Sequence, residues 1–134
     1  MNELRILSEE ANDILIAGHI RPDGDCVGAC IAAYHYLHNI YPEKNIEVYL
    51  ENTPETFAFM DKDNAIISHT ITDKQYDLFL ALDTSSPDRL GEAQKNFFRA
   101  KMTMCVDHHI SNRSYAGHNF IEPDASSACE VLYG

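Results

Sequence analysis

Residues 14–28 read ILIAGHIRPDGDCVG, and this stretch decides the fold. Its first part, 14–17, is a continuous apolar run of the kind that forms a buried parallel strand. Residues 27–37 carry apolar side chains at helical spacing. Residues 18–26 are therefore predicted to be a loop that joins the end of a strand to the start of a helix. In open α/β sheets, ligands bind at such loops.

This loop carries three side chains of the kinds that bind divalent metal ions. Asp23 and Asp25 supply carboxylates and His19 supplies an imidazole, all within seven residues. Such a set suits a hard or borderline divalent cation. Pro22 and Gly24 are turn residues that let the loop double back. Taken alone, the stretch also fits an ordinary strand-to-helix turn with helix-capping aspartates, and both interpretations stay open at this point.

Two further apolar runs end in polar side chains of the same kinds. Residues 76–82 lead into Asp83, and residues 102–106 lead into the triplet Asp107-His108-His109. Asp83 alone could be a turn residue or a helix cap, and a solvated loop could hold the histidines. The carboxyl ends of parallel strands meet at one edge of a sheet, however, so we expect all three groups to form one site.

The rest of the chain alternates between helix and strand patterns, which predicts an α/β fold. We expect a doubly wound, mostly parallel sheet with helices on both faces. Besides the segments above, the patterns predict helices over 2–12 and 92–99, strands over 13–17, 46–50 and 119–121, and an edge strand at 66–67.

Two further helix starts carry local signals. Thr53 is predicted to cap a helix with Pro54 at its first position, which would turn Phe57, Phe59 and Met60 toward the core. The segment 124–127 is predicted to start the last helix, with Glu130 completing a capping box from Ser127.

Composition excludes several classes of protein. The 134 residues suit one domain, and the net charge of −11 argues against a basic surface for long-duplex nucleic acid. The apolar runs are too short to span a bilayer, and the first residues lack a signal-peptide pattern, so we expect a cytoplasmic protein without a membrane partner. The four cysteines are expected to be reduced and mostly buried, and His69 is given no role. The oligomeric state is left open, a homo-oligomer included.

With these residues in view, the sequence resembles the DHH phosphoesterase superfamily. The histidine and two aspartates of the first loop, the strand-end Asp83 and the triplet 107–109 are similar to the first three motifs of that family. The RPDGD of residues 21–25 and the DASSACE of residues 124–130 look most like the NrnA-type branch, which is similar to RecJ exonucleases. The resemblance runs from Ile14 to the end of the chain.

The resemblance implies a phosphoesterase that uses two Mn²⁺ ions, with Co²⁺, Zn²⁺ or Fe²⁺ as competitors. One ion is expected on His19, Asp23 and Asp83. The other is expected on Asp25, Asp83 and His108, so that Asp83 bridges the two. Two ions about 4 Å apart polarise the phosphoryl oxygens and activate a water molecule for in-line attack.

Two further roles and a substrate class come with the resemblance. His109 is expected beside the scissile phosphate as a hydrogen-bond donor, and Asp107 is expected to orient the histidine loop. The implied substrates are short RNA oligonucleotides (nanoRNA) and 3′-phosphoadenosine 5′-phosphate (pAp). Within the same superfamily, the alternatives are a cyclic or linear dinucleotide phosphodiesterase and an inorganic pyrophosphatase.

The sequence also departs from the family pattern. Family members carry a fourth motif, an aspartate of the second metal site, and a C-terminal substrate domain, and neither is found in residues 1–134. Asp124 lies in the right region, but its sequence context fits a helix start better. We therefore expect residues 1–134 to be the N-terminal part of a DHH protein, with weak or absent catalysis by itself. The alternative from another class is a non-catalytic metal-binding fragment.

Overall fold

The computed structural model describes residues 2–62, 66–67 and 71–133, so His69 lies outside the described residues. The described chain alternates between strands and helices in the predicted order. The strands are β1 (Asp13–Ala17), β2 (Asn45–Tyr49), β3 (Ile66–Ile67), β4 (Leu78–Leu82), β5 (Met102–Asp107) and β6 (His118–Ile121). The α-helices are α1 (Asn2–Glu9), α2 (Gly24–Ile40), α3 (Gln94–Arg99) and α4 (Ala128–Tyr133), and 3₁₀-helices cover Glu55–Met60 and Pro87–Ala93.

The six strands form one sheet in the order β3-β2-β1-β4-β5-β6, and all neighbouring pairs are parallel. The chain moves outward from β1 to β3 and then returns to the other side of β1 as β4. Loops that leave the carboxyl ends of β1 and β4 therefore diverge, which opens a crevice where α/β sheets bind ligands. The predicted doubly wound parallel fold is confirmed.

Both faces of the sheet are buried under helices, which explains the continuous apolar run in β1. Ile14 and Ile16 point into one core, which α1, α2 and α4 cover. Leu15 and Ala17 point into the other core, which Leu90 of the second 3₁₀-helix and the helix α3 cover. The side chains of residues 14–17 are all fully buried, because successive residues of a strand face opposite sides of the sheet and both sides are covered.

The predicted helix start at Thr53 is wrong. Pro54 takes the cap position without a side-chain capping hydrogen bond, and the segment that follows is a 3₁₀-helix. Three residues per turn place positions three apart on the same face. Phe57 and Met60 accordingly pack against the core, whereas Phe59 is 66% exposed.

Several element boundaries also differ from the prediction. Helix α1 ends three residues early, and α2 starts at Gly24 instead of residue 27 because Asp23 caps it. Of the predicted helix over 92–99, only α3 is α-helical. The backbone of Gly91 has φ 63°, which separates the residues before it from the helix that follows.

The structure bears on membrane-spanning segments and on the state of the cysteines. Within the described residues, no helix combines the length and apolarity needed to cross a bilayer. All four cysteines are free thiols, and Cys26, Cys30 and Cys105 are buried, as predicted.

Candidate metal centre

The loop after β1 places His19 and Asp23 through local hydrogen bonds. The Asp23 Oδ1 atom accepts the main-chain N–H of Cys26 at 2.9 Å and so caps helix α2. The same Oδ1 atom lies 3.8 Å from His19 Nε2. His19 Nδ1 lies 2.8 Å from the carbonyl oxygen of Ile20, to which it donates. This bond places a proton on Nδ1, so Nε2, which faces the carboxylates, is the ring nitrogen that could bind a metal ion in exchange for its own proton.

Asp83 stands at the centre of the site, directly after β4. Its side chain is 2% exposed, and its backbone has φ 54°, a left-handed conformation that aspartate adopts more readily than most residues. The Oδ2 atom lies 3.5 Å from His19 Nε2, and the Oδ1 atom lies 3.3 Å from His108 Nε2. The two oxygens of one carboxylate thus face two different histidines.

The loop after β5 brings the histidine pair to the same place. His109 Nδ1 lies 2.6 Å from Asp107 Oδ1, and Asp107 is fully buried. The second Asp107 oxygen accepts a hydrogen bond from Asn112 Nδ2 at 2.9 Å. Asp107 is therefore bound on both oxygens and fixes the orientation of the His109 ring. Asn112 was not predicted as part of the site, because an isolated asparagine in a loop carries no specific sequence signal.

Asp25 completes the group from the first turn of α2. Its Oδ2 atom lies 3.4 Å from His108 Nε2. The structure thus brings together the seven predicted site residues, which are His19, Asp23, Asp25, Asp83, Asp107, His108 and His109.

Asp124 does not join them. It lines a cavity of about 490 Å³ beside α4, together with Glu3, Glu122 and Glu130, and that cavity shares no residue with the site.

The pKa values of His19 and Asp83 are both raised, for different reasons. The hydrogen bond with Asp83 raises the pKa of His19 to about 9, in spite of the opposing effect of burial. Burial raises the pKa of Asp83, the hydrogen bond from His19 offsets only part of that rise, and the charges of Asp25 and Asp23 add to it. Contact with Asp83 thus favours the charged form of His19. For Asp83, the cost of burying the charged carboxylate outweighs the stabilisation that His19 gives it.

The donor set fits divalent metal ions. Asp83 Oδ1 is buried and has no hydrogen-bond partner within the described part of the chain. A buried carboxylate oxygen without a partner is costly, and a cation would satisfy it. Imidazole nitrogens and carboxylate oxygens together suit Mn²⁺, Fe²⁺, Co²⁺ or Zn²⁺. Two groups of side chains have ligand atoms that all lie within 4.8 Å of one another. One group is His19, Cys26 and Asp83, and the other is Asp83 with the triplet 107–109.

Comparison with known proteins decides the family. The family model described as the N-terminal domain of the DHH family matches residues 13–134. The chain belongs to the DHH family. The match begins at the first residue of β1 and includes every residue of the site.

Several curated relatives of this DHH chain carry the name NrnA. The bifunctional oligoribonuclease and PAP phosphatase NrnA of Bacillus subtilis is 30% identical over 121 residues, which is 90% of this chain and 36% of that protein. The NrnA of Mycoplasma genitalium is 26% identical over 130 residues, which is 92% of this chain and 39% of that protein. This chain therefore spans less than two fifths of the length of these relatives.

A crystal structure has the same fold. An exopolyphosphatase-related protein from Bacteroides fragilis superposes with a TM-score of 0.85 at 21% sequence identity. The superposition covers 98% of this chain and 41% of that one. The fold seen here therefore recurs as one part of a longer protein.

Proposed function

We propose that this DHH chain is the metal-binding part of a Mn²⁺-dependent phosphoesterase. The observation that carries the proposal is the position of Asp83. In its buried carboxylate, Oδ2 faces His19 and Oδ1 faces His108. The Oδ1 atom has no hydrogen-bond partner among the described residues. A carboxylate that faces two nitrogen donors in this way has the arrangement of a ligand that bridges two ions.

The ligands divide into two groups around that carboxylate. His19 and Asp23 lie on the side of Asp83 Oδ2, and their closest atoms are 3.8 Å apart. Asp25 and His108 lie on the side of Asp83 Oδ1 and are 3.4 Å apart. We propose that each group holds one metal ion with Asp83 shared between them. Mn²⁺ is the first candidate, and Co²⁺, Zn²⁺ and Fe²⁺ are the competitors.

When bound, two such ions polarise the phosphoryl oxygens and lower the pKa of a water molecule. The chain supplies a further group, His109, which is 42% exposed and points its Nδ1 at Asp107. That contact leaves the other ring nitrogen available to donate to a phosphate oxygen when the ring is protonated. Asp107 therefore acts through His109 by fixing the ring orientation.

The proposed substrates are short RNA oligonucleotides and pAp, which are anions, whereas this chain has a net charge of −11. Two arginines help to explain how such a chain binds an anion. Arg21 is exposed on the loop after β1, and Arg89 is exposed on the 3₁₀-helix that follows β4. The N–H of Ile20 donates to the carbonyl oxygen of Arg89 at 2.7 Å, which joins the two segments. Within the described part of the chain, neither guanidinium takes part in an ion pair or hydrogen bond. We propose that both are available to bind substrate phosphates.

The direct test is Mn²⁺ binding by titration calorimetry, followed by hydrolysis of RNA two to five nucleotides long and of pAp. We expect two Mn²⁺ ions per chain in the wild type and at most one weakly bound ion in Asp83→Ala. The matched control is Asp88→Ala, which removes an exposed aspartate from the same loop. Unchanged stoichiometry and affinity in Asp83→Ala would refute the proposal.

Turnover by residues 1–134 is expected to be slow, because relatives of the family are more than twice as long. Any hydrolysis should require Mn²⁺ and Asp83. In a chain that turns over, Arg21→Ala and Arg89→Ala should raise KM more than they lower kcat. A chain that binds Mn²⁺ but leaves both substrates intact at every metal concentration would instead be a non-catalytic metal-binding domain.

A further inference from the structure

The carboxylate of Asp25 is held by the other end of the chain. Its Oδ2 atom accepts the main-chain N–H of Ala128 at 2.9 Å, and its Oδ1 atom accepts that of Cys129 at 3.3 Å. The thiol of Cys129 donates to the carbonyl oxygen of Asp25 at 3.8 Å. These contacts join residues 103 and 104 positions apart, and they make Asp25 the N-terminal cap of α4.

These bonds fix the side chain at the position the metal site needs. Asp25 lies in the first turn of α2, and among the described residues its carboxylate accepts hydrogen bonds only from α4. The oxygen that accepts from Ala128 is the same Oδ2 that lies 3.4 Å from His108 Nε2. A carboxylate oxygen has two lone pairs, so it can accept an N–H and bind a cation at the same time.

Helix α4 in turn depends on a few contacts. It has six residues, and a helix of that length is unstable without packing or capping. Ser127 Oγ accepts the N–H of Glu130 at 3.1 Å, as the predicted capping box requires. The Glu130 carboxylate departs from that prediction, because it accepts from the N–H and hydroxyl of Ser126 at 2.8 and 2.6 Å and not from Ser127.

We propose that the first turn of α4 is a positioning element of the metal centre. Docking of α4 holds Asp25 in the conformation that binds a metal ion, and a bound ion in turn favours the docked helix. This coupling is reciprocal, because helix docking and metal binding favour the same conformation of Asp25 and each therefore strengthens the other. The inference rests on the proposed function in one respect, which is that Asp25 binds metal.

Cys129 provides a direct measure of α4 docking. It is partly exposed, whereas the other three cysteines are buried. Because its thiol is hydrogen-bonded to the carbonyl oxygen of Asp25, its reaction with an aromatic disulfide reagent should become faster when the first turn of α4 leaves Asp25, and Cys129→Ser identifies the signal. We expect saturating Mn²⁺ to slow this reaction about fivefold or more in the wild type, the usual lower range of coupling between sites. Asp83→Ala should show no effect of Mn²⁺.

Variants of α4 test the other direction of the coupling. Glu130→Ala removes the acceptor that holds Ser126, and we expect Mn²⁺ to bind about threefold more weakly, as for the loss of one helix cap. Glu130→Gln keeps an acceptor oxygen and should restore most of the affinity. Glu122→Ala removes a nearby exposed charge without touching Ser126, so it controls for net charge.

A second variant acts on the bond itself. Ala128→Pro removes the N–H that Asp25 Oδ2 accepts, at the first helical position, where proline is tolerated. We expect about tenfold weaker Mn²⁺ binding, as for other groups that orient metal ligands. Ala128→Val keeps the N–H and adds side-chain volume at this fully buried position, so it controls for crowding.

The outcomes separate the inference from the proposed function. If Mn²⁺ binds to the wild type but leaves the Cys129 reaction rate unchanged, the coupling is refuted and the phosphoesterase proposal stands. The coupling is likewise refuted if Glu130→Ala and Glu130→Gln bind Mn²⁺ as weakly as each other. If the wild type binds no Mn²⁺, both fail.

Discussion

Asp83→Asn should make the protein more stable without added metal while removing its response to Mn²⁺. Burial and the charges of Asp25 and Asp23 raise the pKa of Asp83, so the ionised carboxylate is unfavourable where it stands. Asparagine has the same shape and tolerates the φ of 54°, so neither a cavity nor new backbone strain is expected. An unsatisfied buried group costs about 1 to 3 kcal/mol, and a charged group costs more than a neutral amide. Because His19 offsets part of the cost of the charge, we expect a gain of about 1 kcal/mol.

In Mn²⁺ the order of stability should reverse, so that the wild type is more stable than Asp83→Asn. At a free Mn²⁺ concentration one hundred times Kd, each bound ion should stabilise the wild type by about 2.7 kcal/mol. For a chain of this size, that corresponds to a rise in Tm of roughly 10 °C. If the substitution weakens binding about a hundredfold, the same concentration adds only about 0.4 kcal/mol, or 1 to 2 °C.

Thermal unfolding followed by circular dichroism measures both effects, with Asp88→Asn as the exposed control. The curves should cross, with Asp83→Asn melting higher in chelator and the wild type melting higher in Mn²⁺. A full Mn²⁺ shift in Asp83→Asn would show that Asp83 is not a ligand. A loss of about 2 kcal/mol or more in chelator, comparable to breaking a favourable buried interaction, would show that its charge stabilises the fold.

Three further predictions concern stability. Asp77→Ala should lower the free energy of unfolding by about 2 kcal/mol at pH 7, because Asp77 Oδ2 accepts the N–H groups of Asn12 and Asp13. These bonds lower the pKa of Asp77, so its contribution is complete above the unfolded pKa near 3.8 and is lost as pH falls through the folded value. Urea unfolding at pH 7 and pH 3 should therefore show a smaller difference between variant and wild type at pH 3. Gly91→Ala should destabilise far more than Gly24→Ala in the same assay, because Gly91 has φ 63° and a Cβ there would lie 2.6 Å from Ile20 Cγ2, whereas the nearest atom to a Cβ at Gly24 is Phe57 Cε1 at 3.5 Å. Leu80→Ala should cost about 3 kcal/mol in urea, since this β4 side chain is fully buried.

The strands could be predicted well because burial on both sheet faces leaves a strong pattern. The run 14–17 and the run before Asp83 are almost wholly apolar, and both are strands in the structure. Helix boundaries were less predictable because they depend on single capping bonds. At Thr53 the usual sequence signal was present, but the chain formed a 3₁₀-helix without using the hydroxyl as a cap.

The residues of the candidate site could be selected from strand ends, because parallel topology brings those ends together whatever their separation in sequence. The supporting contacts could not be found in this way. The bond from Asn112 to Asp107 and the bonds from α4 to Asp25 depend on loop conformation and helix docking, which leave no local pattern. The sequence thus indicates which residue types meet at the sheet edge, and tertiary structure decides what orients them.

The capping and metal-binding interpretations of the two loop aspartates are compatible. Asp23 caps α2 through Oδ1 and faces His19 with the same atom, and Asp25 caps α4 while facing His108. Each cap restricts the carboxylate to one orientation, and a ligand that is already oriented loses less entropy when an ion binds. The hydrogen bonds that start the two helices therefore also prepare the proposed metal site, so a substitution that disturbs either helix start should weaken metal binding even where no ligand is changed.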